Sequence, residues 1–198
     1  MSIIESVGAP LLTVAVTLGG GWLVTTRVTD RWDQVKKNRE MDLAAAQDFQ
    51  RLYGEFVAIW KTWDSLTDGH TPVTTPQHVG WGVLERATAA EGQIEALMAK
   101  LAAERCLTED DIAVLGGVRQ AFKVVRRSIK RGEPIGWRSS EAEPYMAIKS
   151  LSAATSVLLS SAPRTRLRPS AAVAARNFKG ITDNRHEDSW TDTARRYA

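Results

Sequence analysis

Few residues in this chain have the types and spacing that chemistry requires. His70 and His78 fall in one proline-broken stretch, with Asp68 the sole carboxylate close to them. A protein metal site wants three or four N, S or O ligands, so the two read as surface loop histidines. Cys106 is the only cysteine, so no intrachain disulfide can form. It has no Cys-x-x-Cys partner and no recognisable base, and reads as an inert thiol suited to a reducing compartment. Asp110 and Asp111 are paired carboxylates, but acids at a helix start explain them. His186-Glu187-Asp188 stands in a polar tail, a poor platform for preorganised catalysis. The chain carries no Walker A pattern, nucleophile elbow, G-x-G-x-x-G or H-E-x-x-H. It is therefore expected not to be an enzyme, with no catalytic, metal or cofactor-binding residues and no cofactor.

What the sequence does offer is charge and apolar surface. Arg119, Lys123, Arg126, Arg127, Lys130 and Arg131 place six cations in thirteen residues without an acid. On a helix most of them fall on one side, next to an apolar stripe. The helix dipole favours cations near a C-terminus, and a solvated face is the simplest reading. The functional alternative is contact with anionic lipid headgroups or an acidic partner. Nucleic acid is disfavoured, because a net charge of +3 over 198 residues is only mildly basic. Eighteen arginines against eight lysines, with abundant alanine, fit a GC-rich bacterial genome.

The elements that must position these groups begin with residues 6–26, twenty-one residues without a formal charge. About 20 predominantly apolar residues in helical form cross a bilayer core, which predicts one transmembrane helix. From Arg27 to Arg39 five basic residues stand against Asp30 and Asp33, net +3. Positive flanks stay in the cytoplasm, so the N-terminus is expected outside and the body inside, at the inner or plasma membrane. Trp22 and Trp32 can anchor at the inner interface. Ala9, Thr13, Thr17, Gly21 and Thr25 recur every fourth residue, a stripe of small side chains along which two spans can pack closely. Ordinary membrane-helix composition also explains the stripe, and the run, diluted by Thr and Gly, is apolar enough for a soluble core helix as well.

Residues 27–66 predict a juxtamembrane stalk leading into a long amphipathic helix. Phe49, Leu52, Phe56, Ile59, Trp60 and Trp63 lie on one face of it, to be buried in the body's core or against another subunit. Residues 67–79 break the helix with Asp68-Gly69, Pro72 and Pro76. Residues 78–161 predict the remaining helices. In the first of these Glu91 and Glu95 look outward. Thr108 caps the next. A turn at Gly132–Gly136 follows, with Trp137 folding back on the core, and Ser140-x-x-Glu143 matches a capping box for the last. Residues 162–198 carry eight basic and four acidic groups with few large apolar side chains, and read as a flexible, disordered tail.

The expected fold class is therefore all-α: a single N-terminal transmembrane helix, a cytoplasmic antiparallel helical bundle and a disordered C-terminal tail. The expected function is a membrane-anchored interaction or scaffold protein, partnered by the lipid bilayer and by a second copy or another membrane protein. An oligomerising effector that perturbs or permeabilises the bilayer is the alternative, and an enzyme with a site assembled from distant residues comes third.

Overall fold

Helix is the only regular structure among the residues that the computed structural model describes. These are 3–67, 77–137, 142–160 and 171–182, with the side chains of 3–28, 38, 77–79, 171, 174 and 182 left aside. The elements are α1 (Ile3–Thr67), α2 (Gln77–Glu104), α3 (Glu109–Arg131), α4 (Glu143–Ser160) and α5 (Ala171–Thr182). The chain divides into two units, residues 1–42 and 43–198. The all-α expectation holds. Among the described residues no helix is long and apolar enough to cross a membrane. The run 6–26 has its backbone within α1, while its side chains, those of Ala9, Thr13, Thr17, Gly21 and Thr25 included, lie outside the described residues.

The second unit is built around the later turns of α1. Its stripe at helical spacing puts Ala45, Phe49, Leu52, Phe56, Ile59, Trp60 and Trp63 into a core completed by α2, α3 and α4. Ion pairs and contacts set the directions. Glu55 of α1 meets Arg86 of α2, and Trp63 approaches Gly80, so rising numbers on α1 meet falling numbers on α2. Glu95 meets Arg119 and Glu91 meets Arg126, so α2 and α3 are antiparallel too. The four residues 105–108 that join them make this the natural arrangement.

Helix α3 has well-defined ends. Thr108 accepts from the Asp111 amide at 3.1 Å, and the Asp111 carboxylate accepts from the Thr108 amide at 2.9 Å. This reciprocal box satisfies two amides that the first turn would otherwise leave without partners. At the other end Gly132 takes φ +70°, and its N–H and that of Glu133 donate to Ile129 and Ser128. That double bond pattern needs a left-handed residue, and glycine adopts it without a Cβ clash.

Two expectations are corrected here. Residues 77–79 belong to α2 instead of the preceding loop, whose residues 68–76, His70 among them, lie outside the described residues. The tail is not wholly disordered: Ala171–Thr182 forms α5, which packs on α2 and α3. Ile181 is fully buried there, and Asn177 donates to the Arg105 carbonyl at 3.5 Å. Four alanines and one well-placed isoleucine make a helix that needs little apolar area to dock. Residues 161–170 and 183–198, with His186, Trp190 and Tyr197, lie outside the described residues.

Gly117 governs how closely α3 approaches α4. A Cβ placed there would sit 2.9 Å from Leu151 Cδ1, and Leu151 is completely buried. Gly92 on α2 is also helical, but it is exposed and a Cβ there meets nothing within 4 Å. The two glycines should respond oppositely to substitution. Gly92→Ala is expected to stabilise by about 0.5–1 kcal/mol through helix propensity. Gly117→Val is expected to destabilise by roughly 1–3 kcal/mol through overpacking. Denaturant unfolding followed by far-UV circular dichroism measures both, and equal responses would refute the close approach.

Candidate functional site

Two constellations of chemically capable side chains occur in the second unit. The first lies where α1 ends. Phe49, Leu52, Phe56, Ile59, Trp60 and Trp63 are all no more than 5% exposed, so the aromatic face belongs to the chain's own core. Phe56 packs on Phe122 at 4.6 Å between centroids, and Trp60 lies 5.9 Å from Trp137 and 5.4 Å from Tyr145. Tilted rings at these distances are favourable beyond the area they bury. Trp137 does fold back on the core.

Within this apolar wall sits a carboxylate. Asp64 is 3% exposed, and its Oδ2 accepts the Trp60 indole N–H at 2.8 Å. Its Oδ1 accepts the amides of Ile135 and Gly136 at 2.8 and 3.2 Å. Its immediate neighbour in the chain, Trp63, donates its indole N–H to the Glu133 carbonyl at 2.8 Å. Desolvating a carboxylate is costly unless donors replace the lost water, and here both oxygens are supplied. With its oxygens engaged this way, Asp64 fastens the turn after α3 to the end of α1. The sequence carried a signal for it: Asp64 interrupts the aromatic stripe four residues after Trp60, on the buried side.

The second constellation is the set of α3 cations. The structure does not present them as one basic face. Arg119 is 9% exposed and donates Nε to Glu95 Oε1 at 2.8 Å. Arg126 pairs with Glu91. Lys123 and Arg127 are half-buried and have interactions of their own. Only Lys130 and Arg131 are exposed, and Arg131 lies 3.9 Å from Glu133. Glu91 and Glu95, expected to look outward, turn to α3. Their spacing of one helical turn against two turns on α3 fits two helices that cross, each acid reaching its own arginine.

Other groups complete the polar inventory. Arg105, 7% exposed, donates to the Leu158 and Leu159 carbonyls at 2.6 and 3.3 Å. It thereby closes the carbonyl end of α4, where a cation also suits the dipole. A small open groove of about 280 Å³ between α1 and α2 is lined by Arg51, Glu55, Arg86 and Gln93, among others. Its one strong pair, Glu55 with Arg86, raises the guanidinium's pKa through a hydrogen bond and charge. Burial pushes the Tyr53 hydroxyl up, helped by Tyr145. Among the described residues no three His, Cys, Asp or Glu side chains gather as a metal site would require. Cys106 is exposed at the end of α2.

Set against known protein families, curated proteins and solved structures, the chain matches none of them.

Two measurements probe these constellations. Asp64→Ala should destabilise the body by about 3 kcal/mol, because it strands two buried donors and a third that is partly buried. Asp64→Asn should cost roughly 1–2 kcal/mol, since its amide must turn a donor toward one set of them. Urea unfolding followed by tryptophan fluorescence gives the order, and Asn costing as much as Ala would reject the fastening role. For the ion pairs, Arg126→Ala should cost roughly 2 kcal/mol or more, because it leaves a mostly buried Glu91 behind. Arg86→Ala, at an exposed pair, should cost under about 1 kcal/mol and nothing measurable near 1 M salt.

Proposed function

We propose that the chain is a membrane-anchored interaction protein that self-associates or binds a partner at the inner membrane face. The observation that carries this reading is the uncharged run 6–26, which belongs to the same helix, α1, that supplies the aromatic core of the bundle. The run is long enough to span, and the net positive charge of residues 27–39 favours an orientation with the N-terminus outside. The fourfold stripe Ala9, Thr13, Thr17, Gly21 and Thr25 supports association through the span. In the body, the aromatic and charged groups that could have been sites serve packing, which suits a rigid module carried by an anchor. The Thr and Gly content of the run supports a second reading, an oligomerising effector with a polar-lined span.

Three tests bear on these readings, and the last separates them. The chain should resist alkaline extraction from membranes, and release into the supernatant would reject the anchor. Gly21→Ile should reduce oligomer size in detergent, and an unchanged size would reject the stripe. Replacing 6–26 by a polyleucine helix with the same flanks should leave partner capture intact for an interaction protein. For an effector the same replacement should abolish permeabilisation.

A further inference from the structure

We infer that α5 joins two copies of the chain, docking on α2 and α3 of a neighbour as it docks on its own. The inference rests on the self-association reading and names a surface of the body that serves it. Helix α5 is held thinly. Among its described side chains Asn177 and Ile181 alone are buried, and Phe178 stays 45% exposed. By contrast α3 buries residues from Ile112 to Ile129, and α4 from Ala147 to Leu159. A helix the length of Ala171–Thr182 is marginal by itself in water, so it persists where a surface receives it. The receiving surface does not rely on α5. Helices α2 and α3 are tied to each other through Glu95 with Arg119 and Glu91 with Arg126.

Arg105 shows that exchange is within reach. Its guanidinium donates to the Leu158 and Leu159 carbonyls at the end of α4, and its own carbonyl accepts from Asn177 of α5. The end of α4 and the seat of α5 therefore share one corner of the body. Residues 161–170 lead from one to the other, and such a length of chain spans at most about 35 Å. Two copies that face each other at this corner, related by a twofold axis, bring each α5 within range of the other's seat. A second copy is the partner of choice because the structure already displays the fit: Ile181 and Asn177 match this surface, and every copy carries both halves. Closed and exchanged forms share the same α5 contacts, so the local concentration of copies sets the balance between them. Copies already gathered through another contact gain the second one at high effective concentration.

The test co-expresses two full-length chains with different tags. One keeps Cys106, which is exposed at the end of α2; the other carries Cys106→Ser and a new cysteine at an exposed position of α5, Arg176→Cys. The Arg105 carbonyl lies 3.5 Å from the Asn177 side-chain amide, so a short bifunctional maleimide bridges positions 106 and 176 wherever α5 is docked. Covalent species holding both tags are expected, because α5 of one chain then sits on α2 of the other. Ile181→Asp in the second chain should lower their yield about tenfold or more, since it sets a charge where a buried isoleucine docked. Far-UV circular dichroism of that variant should retain the helix of α1 to α4. Tags that co-purify without any mixed covalent species overturn the inference and leave self-association standing. Mixed species undiminished by Ile181→Asp overturn it too, and show bodies that merely lie side by side. A chain carrying both Cys106 and Arg176→Cys that gives no cross-link, within itself or to a neighbour, shows α5 undocked and also overturns it. Tags that never co-purify reject both the inference and self-association.

Discussion

The body depends on one buried carboxylate. Asp64 stands at the end of α1 inside a wall of aromatic rings, where an unsolvated charge is tolerated only if donors surround it. The donors come from Trp60 on its own helix and from the backbone at Ile135 and Gly136. The turn after α3 therefore cannot settle independently of α1. Its placement carries Trp137 onto Phe56 and Trp60, and Trp60 in turn packs on Tyr145 in the first turns of α4. One acceptor thus coordinates three helices, and apolar packing alone, being non-directional, would not choose this register.

Charge elsewhere is used in the same inward sense. Glu91 and Glu95 draw Arg126 and Arg119 against α2, and Arg105 closes α4 from the end of α2. Such pairs add modest stability but penalise any slippage of one helix along another, because a slipped partner leaves a half-buried charge alone. The first unit differs. Around Trp32 the cations of α1 stand in water with the indole, so the two parts of the chain use the same residue types for opposite ends.

Much of the helical layout was legible in the sequence. Apolar spacing marked the α1 face from Phe49 to Trp63, the Thr108 cap, and the break at Gly132, because each is decided by neighbours three or four residues away. What could not be read was the pairing across elements. Glu91 and Glu95 look like solvent-facing acids until α3 is beside them, and a row of α3 cations looks like a binding face until the acids are counted against it. Helix α5 was hidden for a related reason. Its apolar content is too small to announce a core helix, and only the pocket awaiting Ile181 makes it dock. Asp64 was visible as an anomaly in an apolar stripe, but its partners lie 71 and 72 positions away.

That separation has a temporal meaning. A chain emerges from the ribosome at roughly 5–20 residues per second, so the amides that satisfy Asp64 arrive about 4–14 s after it does. During that interval α2 and then α3 emerge to meet the aromatic face of α1, which waits only for the turn at Ile135 and Gly136. The order of residues along the chain thus brings α2 and α3 to the aromatic wall before the turn that fastens it.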